Sequence, residues 1–326
     1  MEAVVLAGGY ATRLWPITRH RPKMLLPLAE GTVIDRILAA LEAEPRVETV
    51  YVSTNRRFKS AFETFLTERA YDKATLSVEE TVEEGEKIGV IGAIAQLIER
   101  EGIDDDLIVV GGDNLFSFEV GDFLDFFEAH DGPCLAAYDV GSTDAARSYG
   151  LVSVDGDRVV DFQEKPDEPS STLVSIACYA FTEAAVRAFE RYLAGDNNPD
   201  EPGWFIQWLY ARDPVYAFVF DGTWFDIGTP EAYLDAVAWS LDGEPAVADG
   251  ATIDGAEFGE TVLVRPGATV RDSYLERTIV FDGATVEAAD LTGSIVDEQA
   301  TVRSVGLGGA RIGAHSRVTG DRTGGD

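Results

Sequence analysis

The chain has 326 residues, and 45% of them are hydrophobic, which is enough for a buried core and for one large or two smaller domains. Its formal net charge is −32, from 58 acidic and 26 basic residues. This charge argues against nucleic acid and anionic membranes as partners, because both require a basic surface. The sequence shows no signal peptide and no long apolar segment, so we expect a cytoplasmic protein.

The acidic excess predicts a protein from a halophile. Carboxylates hold water and ions, and a salt-rich cytoplasm screens their mutual repulsion. Random acidic drift of a solvated surface is the alternative interpretation. The two cysteines, Cys134 and Cys178, have neither metal-site nor disulfide spacing, and we expect Cys178 to fill the core.

The amino-terminal segment predicts an anion-binding turn. Ala3 to Ala7 is a valine-rich apolar run typical of a buried strand, and it stops at Gly8-Gly9, where the backbone can turn tightly. Unpaired N–H groups point into such a turn, and Arg13 and Lys23 add two positive charges near it. Prolines on both sides of Lys23 stiffen the segment that carries it. The pattern predicts a site for a polyphosphate.

Strands then alternate with helices of about ten residues, which predicts βαβ units in an α/β fold with a Rossmann-like, mostly parallel sheet flanked by helices. Ligands of such sheets bind beyond the carboxyl ends of the strands. The predicted helices are 32–41, 59–70, 92–100, 122–130, 183–192, 205–209 and 233–239, and the predicted strands include 47–52, 76–78, 106–110, 133–140, 158–162, 174–181 and 215–220.

Two later strand ends carry candidate site residues. The run LIVVGGDNLF places Asp113 at the carboxyl end of a buried strand, where a carboxylate suits Mg²⁺ and its phosphates. An ordinary Asx turn is the alternative interpretation of that run. Lys165, one of only five lysines, follows Glu164 and precedes Pro166. This placement favours a binding role over an ordinary solvated ion pair.

The carboxyl-terminal part has a different pattern. Valine or isoleucine recurs every 16 residues, at 264, 280, 296 and 312 and again at 270, 286, 302 and 318. A fixed period of this kind predicts stacked short strands, whereas a small β-sandwich would not need it. We expect domains at 1–243 and 244–320, a disordered tail at 321–326, and homo-oligomer contacts through the open ends of the stack or the first domain.

Several motifs together resemble the signature of the sugar nucleotidyltransferases, also called NDP-sugar pyrophosphorylases. They are LAGGYATRL and RPKMLLPL near the amino terminus, then GGDN, EKP and WFDIGTPE. Three positions depart from the family pattern, since Ala11 and Ala177 each replace a glycine and Val90 replaces a threonine. The resemblance, to the glucose-1-phosphate thymidylyltransferase type, implies the nucleotide-diphospho-sugar transferase fold. The repeats resemble a left-handed β-helix of hexapeptide repeats.

The same resemblance implies a Mg²⁺-dependent reaction of an NTP with a sugar 1-phosphate, giving an NDP-sugar and pyrophosphate. The first expectation for the substrates is dTTP or UTP with glucose 1-phosphate. The implied catalytic side chains are Arg13, Lys23 and Lys165, and the implied metal ligands are Asp113 and Asp226. Nucleotide contacts are implied for Leu6, Ala7, Gly8, Gly9, Thr12, Glu79 and Gly89, and sugar-phosphate contacts for Gly150, Glu164 and Lys165.

Two other functions stay open at this point. One is a non-catalytic regulatory subunit that binds a nucleotide sugar without releasing pyrophosphate. The other is a bifunctional enzyme whose repeats transfer an acyl group, although His315 is the only histidine in that half. The intact acidic and basic residues of the motifs favour the nucleotidyltransferase.

Overall fold

The structure is a computed structural model that describes residues 1–79 and 88–320. Residues 80–87 and the predicted disordered tail 321–326 lie outside the described residues. The chain forms two compact units. The first unit is Met1–Gly9 with Ile34–Trp224, and the second is Tyr10–Val33 with Phe225–Asp326. The predicted boundaries at residues 243 and 320 stay predictions.

The first unit is built on a large sheet. Its strands are β1 (Glu2–Leu6), β2 (Thr49–Asn55), β3 (Ala74–Glu79), β4 (Leu107–Gly111), β5 (Asn114–Phe116), β6 (Cys134–Asp139), β7 (Gly150–Asp155), β8 (Arg158–Glu164), β9 (Leu173–Phe181) and β10 (Tyr216–Val219). All of them except β5 belong to one sheet, with the order β3-β2-β1-β4-β9-β6-β10-β8-β7. A further strand, β11 (Trp224–Asp226), contains the point in the chain where the first unit ends, since Trp224 belongs to the first unit and Phe225 and Asp226 to the second.

The amino-terminal half of the sheet is parallel, as the alternation of strands and helices predicts. β1 pairs in parallel with β2 on one side and with β4 on the other, and β2 pairs in parallel with β3. β1 and β4 are nearly continuous apolar runs because strands in the middle of a parallel sheet are covered on both faces. The carboxyl ends of β1 to β4 therefore lie along one edge of the sheet.

The other half contains antiparallel pairs. β9 lies between β4 and β6 and runs antiparallel to both. β7 and β8 form a hairpin, since only two residues separate them, and a connection this short joins antiparallel strands. The apolar run of β9 identifies a buried strand, but its direction depends on packing across the sheet.

Each predicted helix forms within a few residues of its predicted position. They are α1 (Val33–Ala43), α2 (Lys59–Arg69), α3 (Val90–Glu101), α4 (Val120–Glu128), α5 (Thr143–Ala146), α6 (Glu183–Val186), α7 (Ala188–Ala194), α8 (Pro202–Tyr210) and α9 (Pro230–Ser240). The predicted helix 183–192 is divided into α6 and α7 at Arg187, which keeps right-handed helical angles of φ −65° and ψ −17°.

The second unit contains the segment that carries Arg13 and Lys23, defined here as the phosphate loop (residues 10–27). It has two short 3₁₀ turns, Thr12–Leu14 and Lys23–Leu25. Ala11, at the position where the family pattern has glycine, takes a left-handed conformation with φ 47°. This backbone region favours glycine, and the Thr18 hydroxyl holds the turn by donating to the Ala11 carbonyl at 2.7 Å.

Short strands fill the rest of the second unit. They are β12 (Ala246–Val247), β13 (Thr252–Asp254), β14 (Glu257–Phe258), β15 (Val262–Val264), β16 (Thr269–Arg271), β17 (Tyr274–Glu276), β18 (Thr278–Val280), β19 (Thr285–Glu287), β20 (Asp290–Thr292), β21 (Ile295–Val296), β22 (Thr301–Arg303), β23 (Gly306–Gly308), β24 (Arg311–Ile312) and β25 (Arg317–Thr319).

The chain visits three parallel sheets in turn, so each circuit is one coil of a stack. The register repeats the 16-residue period, because Val264 pairs with Val280, Val280 with Val296, and Val296 with Ile312. The valines and isoleucines of this period line a buried interior. This arrangement is compatible with a β-helix, and its left-handed sense stays a prediction. We call residues 246–319 the coils.

Both cysteines are buried in the first unit, which confirms the prediction that Cys178 fills the core. None of the helices formed by residues 1–79 and 88–320 has the length and the apolar character needed to cross a membrane.

Candidate active site

The glycine turn after β1 is fixed by polar side chains at the end of β2. Thr54 donates through its hydroxyl to the Ala7 carbonyl at 3.0 Å, and Asn55 donates through its amide to the Gly8 carbonyl at 2.8 Å. Both side chains are buried, so these bonds are shielded from competing water. These two residues were not predicted from the sequence, although the three polar residues that end the strand VYVSTN are a signal for them.

Glu79 lies beside the same turn. A Cβ atom added to Gly8 would be 3.6 Å from the Glu79 Oε1 atom. The ends of β1 and β3 thus bring together two residues that the motifs had assigned to the nucleotide. A carboxylate here can accept hydrogen bonds from the N–H groups of a base.

Gly89, the other residue expected near the base, has a packing constraint of its own. Its φ is +78°, and a Cβ atom at this position would overlap the Pro199 carbonyl. The Ile91 N–H donates to that same carbonyl at 2.9 Å. Glycine is therefore required at the start of α3 whether or not a nucleotide contacts it, and its nucleotide role stays a prediction.

Asp113 lies at the end of β4, next to the end of β1. The neighbouring Gly112 N–H donates to the Leu6 carbonyl at 2.9 Å, which joins the two strand ends. The Asn114 amide donates to Asp113 Oδ1 at 3.1 Å, and the Trp224 indole N–H donates to Asn114 Oδ1 at 2.7 Å. This chain of hydrogen bonds orients the Asp113 carboxylate at the sheet edge that also carries Gly8 and Glu79.

A second group of predicted residues surrounds Glu164 at the end of β8. A Cβ atom on Gly203 would overlap the Glu164 carboxylate, and one on Gly150 would be 3.0 Å from its Oε2 atom. The two glycines therefore leave the space that the carboxyl group occupies. The Gln207 side chain accepts from the Glu164 N–H at 3.4 Å. Gly203 and Gln207, both on α8, were not predicted from the sequence.

Burial raises the pKa of Glu164 to about 7. Lys165 acts in the opposite direction because its positive charge lowers this pKa, while the negative charge of Glu201 raises it. Lys165 itself forms an ion pair with Glu201. The Lys165 backbone has φ 45°, and its N–H donates to the Tyr149 carbonyl at 3.2 Å. The backbone conformation of Lys165 is therefore fixed at the end of β8. Its exposed side chain, in contrast, can exchange Glu201 for another anion.

In the second unit, Arg13 and Asp226 approach the same glycine. A Cβ atom added to Gly228 would be 3.8 Å from Asp226 Oδ1 and 4.0 Å from the Arg13 Nη1 atom. Thr12 and Arg13 are exposed, whereas Lys23 and Asp226 are half-buried. The phosphate loop and the end of β11 thus place a guanidinium and a carboxylate near one residue.

A metal site made by protein alone is absent from residues 1–79 and 88–320, since no three His, Cys, Asp or Glu side chains gather there. The donor chemistry of Asp113 and Asp226 nevertheless fits Mg²⁺. This ion is often held by one or two carboxylates together with the phosphates of the substrate.

The comparison with protein families decides the classification. Residues 2–242 match the family model described as "Nucleotidyl transferase". The chain belongs to the nucleotidyl transferase family. The match covers most of the chain and includes every residue that the motifs assigned to the site.

Two curated relatives of this nucleotidyl transferase are informative. A Sulfolobus acidocaldarius protein provisionally named mannose-1-phosphate guanyltransferase is 28% identical over 235 residues, covering 72% of this chain and 61% of the relative. The chain thus spans about three fifths of that relative. The low-salt glycan biosynthesis nucleotidyltransferase Agl11 of Haloferax volcanii is 30% identical over 275 residues, covering 78% of this chain and 71% of that protein.

A solved structure supports the fold of this nucleotidyl transferase. It is a Bacillus anthracis protein provisionally named glucose-1-phosphate thymidylyltransferase, with a TM-score of 0.65 and 22% identity, covering 76% of this chain and 97% of the other. At this identity the likeness concerns the fold alone. The predicted fold class is confirmed.

Proposed function

We propose that this nucleotidyl transferase is a sugar-1-phosphate nucleotidyltransferase that converts an NTP and a sugar 1-phosphate into an NDP-sugar and pyrophosphate. The observation that carries the proposal is the gathering of Gly8, Glu79 and Asp113 at the ends of β1, β3 and β4. A bare backbone turn, a base acceptor and a metal ligand are the parts needed to hold an NTP at the edge of a parallel sheet.

In the proposed reaction, an oxygen of the sugar phosphate attacks the α-phosphorus of the NTP. The new P–O bond forms in line with the bond to pyrophosphate, which breaks and leaves as the second product. Positioning and charge neutralisation supply most of the catalysis in such a transfer. Acid–base chemistry has a small part because the attacking phosphate oxygen is already ionised.

Each charged residue has a place in this scheme. Arg13 neutralises the charge that develops on the departing pyrophosphate, and Lys23 binds near the α-phosphate. Lys165 orients the phosphate that attacks, exchanging its ion pair with Glu201 for the substrate. Glu164 accepts hydrogen bonds from hydroxyl groups of the sugar, in the space that Gly150 and Gly203 leave open.

Asp113 and Asp226 would together hold Mg²⁺. When bound, this ion neutralises phosphate charge and fixes the geometry of the triphosphate. The Asn114 amide orients Asp113, and the proximity of Arg13 to Asp226 balances its charge within the second unit.

The sequence motifs favour dTTP or UTP with glucose 1-phosphate as substrates, but a second pair of substrates is also supported. The name of the Sulfolobus acidocaldarius relative contains mannose 1-phosphate and a guanyl group. The position of Glu79 agrees with guanine, because guanine presents two adjacent N–H donors that one carboxylate can accept. Thymine and uracil present a single N–H between two carbonyl oxygens, which would repel a carboxylate. GTP with mannose 1-phosphate is therefore the second candidate pair.

Pyrophosphate release tests the function and the substrates together. We would combine dTTP, UTP, GTP, ATP and CTP with glucose 1-phosphate and with mannose 1-phosphate at high KCl, with and without Mg²⁺. One pair should release pyrophosphate well above the others, and chelation of Mg²⁺ should stop it. Nucleotide binding without pyrophosphate release from any pair would reject the proposal in favour of a regulatory subunit.

The remaining expectations belong to the same proposal. We propose a cytoplasmic homo-oligomer from a halophile, whose coils form a left-handed β-helix of hexapeptide repeats. Acetyl transfer from acetyl-CoA would instead identify the coils as an acyltransferase. Size-exclusion chromatography with light scattering measures the oligomeric state.

A further inference from the structure

At one position of the 16-residue period, the coils have a different type of residue in each coil. Four successive strands of one coil sheet (β15, β18, β21 and β24) are each followed by a different residue at the same point of the 16-residue period: Arg265, Phe281, Asp297 and Gly313. The N–H of Arg265 donates to the Val280 carbonyl, and the same bond recurs from Phe281 and Asp297 one and two coils later, each at 2.8 Å. The four residues are therefore stacked. We call them the column.

Arg21 of the phosphate loop packs against two members of this column. Its Nη2 atom lies 2.8 Å from Asp297 Oδ1 and 3.0 Å from Glu298 Oε1. Its guanidinium carbon lies 4.9 Å from the centre of the Phe281 ring. A planar guanidinium is suited to this combination, since it can stack on a ring while it pairs with carboxylates.

Two backbone N–H groups hold the Asp297 carboxylate in place independently of Arg21. Its carboxylate accepts from the Glu298 N–H at 2.8 Å and from the Ala314 N–H at 3.2 Å, and the residue is only 2% exposed. A buried carboxylate without a cationic partner is costly, so Asp297 and Arg21 depend on each other. Their bond joins residues 276 positions apart in the chain.

A second contact lies at the next coil of the column. A Cβ atom added to Gly313 would be 2.9 Å from the Cβ of Pro16, so the proline rests directly on the glycine backbone. Pro16 follows Arg13 by three residues, and Arg21 precedes Lys23 by two. The column thus holds the phosphate loop at two points that lie between its two functional cations.

We propose that the column positions the phosphate loop for catalysis, with Arg21 and Asp297 as the central pair of positioning residues. The inference rests on the proposed function, in which Arg13 and Lys23 bind the triphosphate. It gives the coils a role in the reaction in addition to any role in assembly. Arg21 and Asp297 act through the loop and contact no reacting atom.

Kinetics with a matched control would test this role. Arg21→Ala and Asp297→Asn should raise the KM for the NTP by about tenfold to a hundredfold, because misplaced phosphate contacts weaken binding on this scale. The KM for the sugar 1-phosphate should stay unchanged, and Arg21→Lys should recover part of the loss. The control is Arg277→Ala, which removes an arginine that also ties a coil to another element, at 2.7 Å from Asp235 on α9.

Hydrogen–deuterium exchange gives a readout that does not need activity. Peptides covering residues 10–27 should exchange faster in Arg21→Ala, Asp297→Asn and Gly313→Ala, with the coil strands still protected, and should be unchanged in Arg277→Ala. Gly313→Ala tests the column through Pro16 alone, should Asp297→Asn fold poorly. Equal loop exchange in Arg21→Ala and Arg277→Ala would overturn the inference, as would a parallel rise of both KM values with loosening of the whole chain. Absence of any wild-type activity rejects the proposed function separately.

Discussion

Glu164 combines a half-buried position with a proposed role in binding sugar hydroxyl groups. Its carboxyl group fills the space between Gly150 and Gly203, and burial raises its pKa to about 7. The ordinary pKa of a glutamate is about 4.3. Between these two values, the folded protein binds a proton that the unfolded chain releases. Stability should therefore fall as the pH rises from about 4.3 to about 7, and this loss is complete above pH 7.

Glu164→Gln tests this linkage. Glutamine has no charge to bury, so the variant should gain stability relative to the wild type as the pH rises through this window. Thermal unfolding at about pH 5 and about pH 8 measures the effect, with a larger advantage expected at the higher pH. The exposed Glu168→Gln removes the same charge, and its difference from wild type should not follow this trend. Equal trends in the two variants would contradict the assignment.

Arg13 and Asp113 should control the rate of the reaction. Arg13→Ala and Asp113→Asn should each lower kcat by on the order of a hundredfold or more, as lost electrostatic stabilisation of a transition state does. Steady-state assays of pyrophosphate release with the best substrate pair measure this change.

Exposed residues of the coils supply the controls for these two variants. Arg317→Ala and Asp254→Asn make the same chemical changes at exposed positions, and both should keep wild-type rates. If Arg13→Ala or Asp113→Asn turns over at the wild-type rate as well, that residue has no part in the mechanism.

Among the elements, α9 is important both for the stability of the fold and for the position of a candidate site residue. It begins at Pro230, and the Thr229 hydroxyl caps it by accepting from the Ala232 N–H at 3.2 Å. Asp226 lies three residues before this cap, and its carboxylate and the Arg13 guanidinium both lie near Gly228. The cap therefore fixes both the helix and the direction in which the preceding segment carries Asp226.

Thr229→Ala should lower the free energy of unfolding by about 1 kcal/mol, the usual cost of losing a threonine cap, and should also lower the apparent affinity for Mg²⁺. Denaturant unfolding and a Mg²⁺ titration of activity measure the two effects. Thr182→Ala removes the equivalent cap of α6, where the Thr182 hydroxyl accepts from the Ala185 N–H at 3.4 Å. It should change stability alone, and an equal shift of the Mg²⁺ dependence in both variants would argue against the proposed role of Asp226.

At the scale of the whole molecule, the charge of −32 should make stability depend on salt. Carboxylates repel one another across the surface, and this repulsion weakens as the Debye length falls from about 10 Å at 0.1 M salt to about 3 Å at 1 M. The unfolding temperature should therefore rise steadily with KCl, and activity should decline on dialysis into low salt. An unfolding curve that is the same at both salt concentrations would favour neutral drift over halophilic adaptation.

Much of the fold could be predicted because the signals for it are local. The apolar spacing of α1 and the valine run of β1 depend on neighbours a few residues away, and the structure places both elements within two residues of the prediction. The 16-residue period predicted the stacking of Val264 on Val280 because every coil repeats the same contacts. The motifs likewise named Asp113 and Glu164 from short stretches of sequence.

The sequence by itself thus determined most of the strands and helices and the repeat of the coils, and it identified the charged residues that we propose for phosphate chemistry. Only the tertiary structure decided that β9 runs antiparallel between β4 and β6, that Gly203 leaves room for Glu164, and that Arg21 meets Asp297. The physical reason is that these features depend on packing between distant segments. Backbone propensity and apolar period act over a few residues, whereas burial of a carboxylate or the direction of a strand is set by whatever the fold brings alongside it.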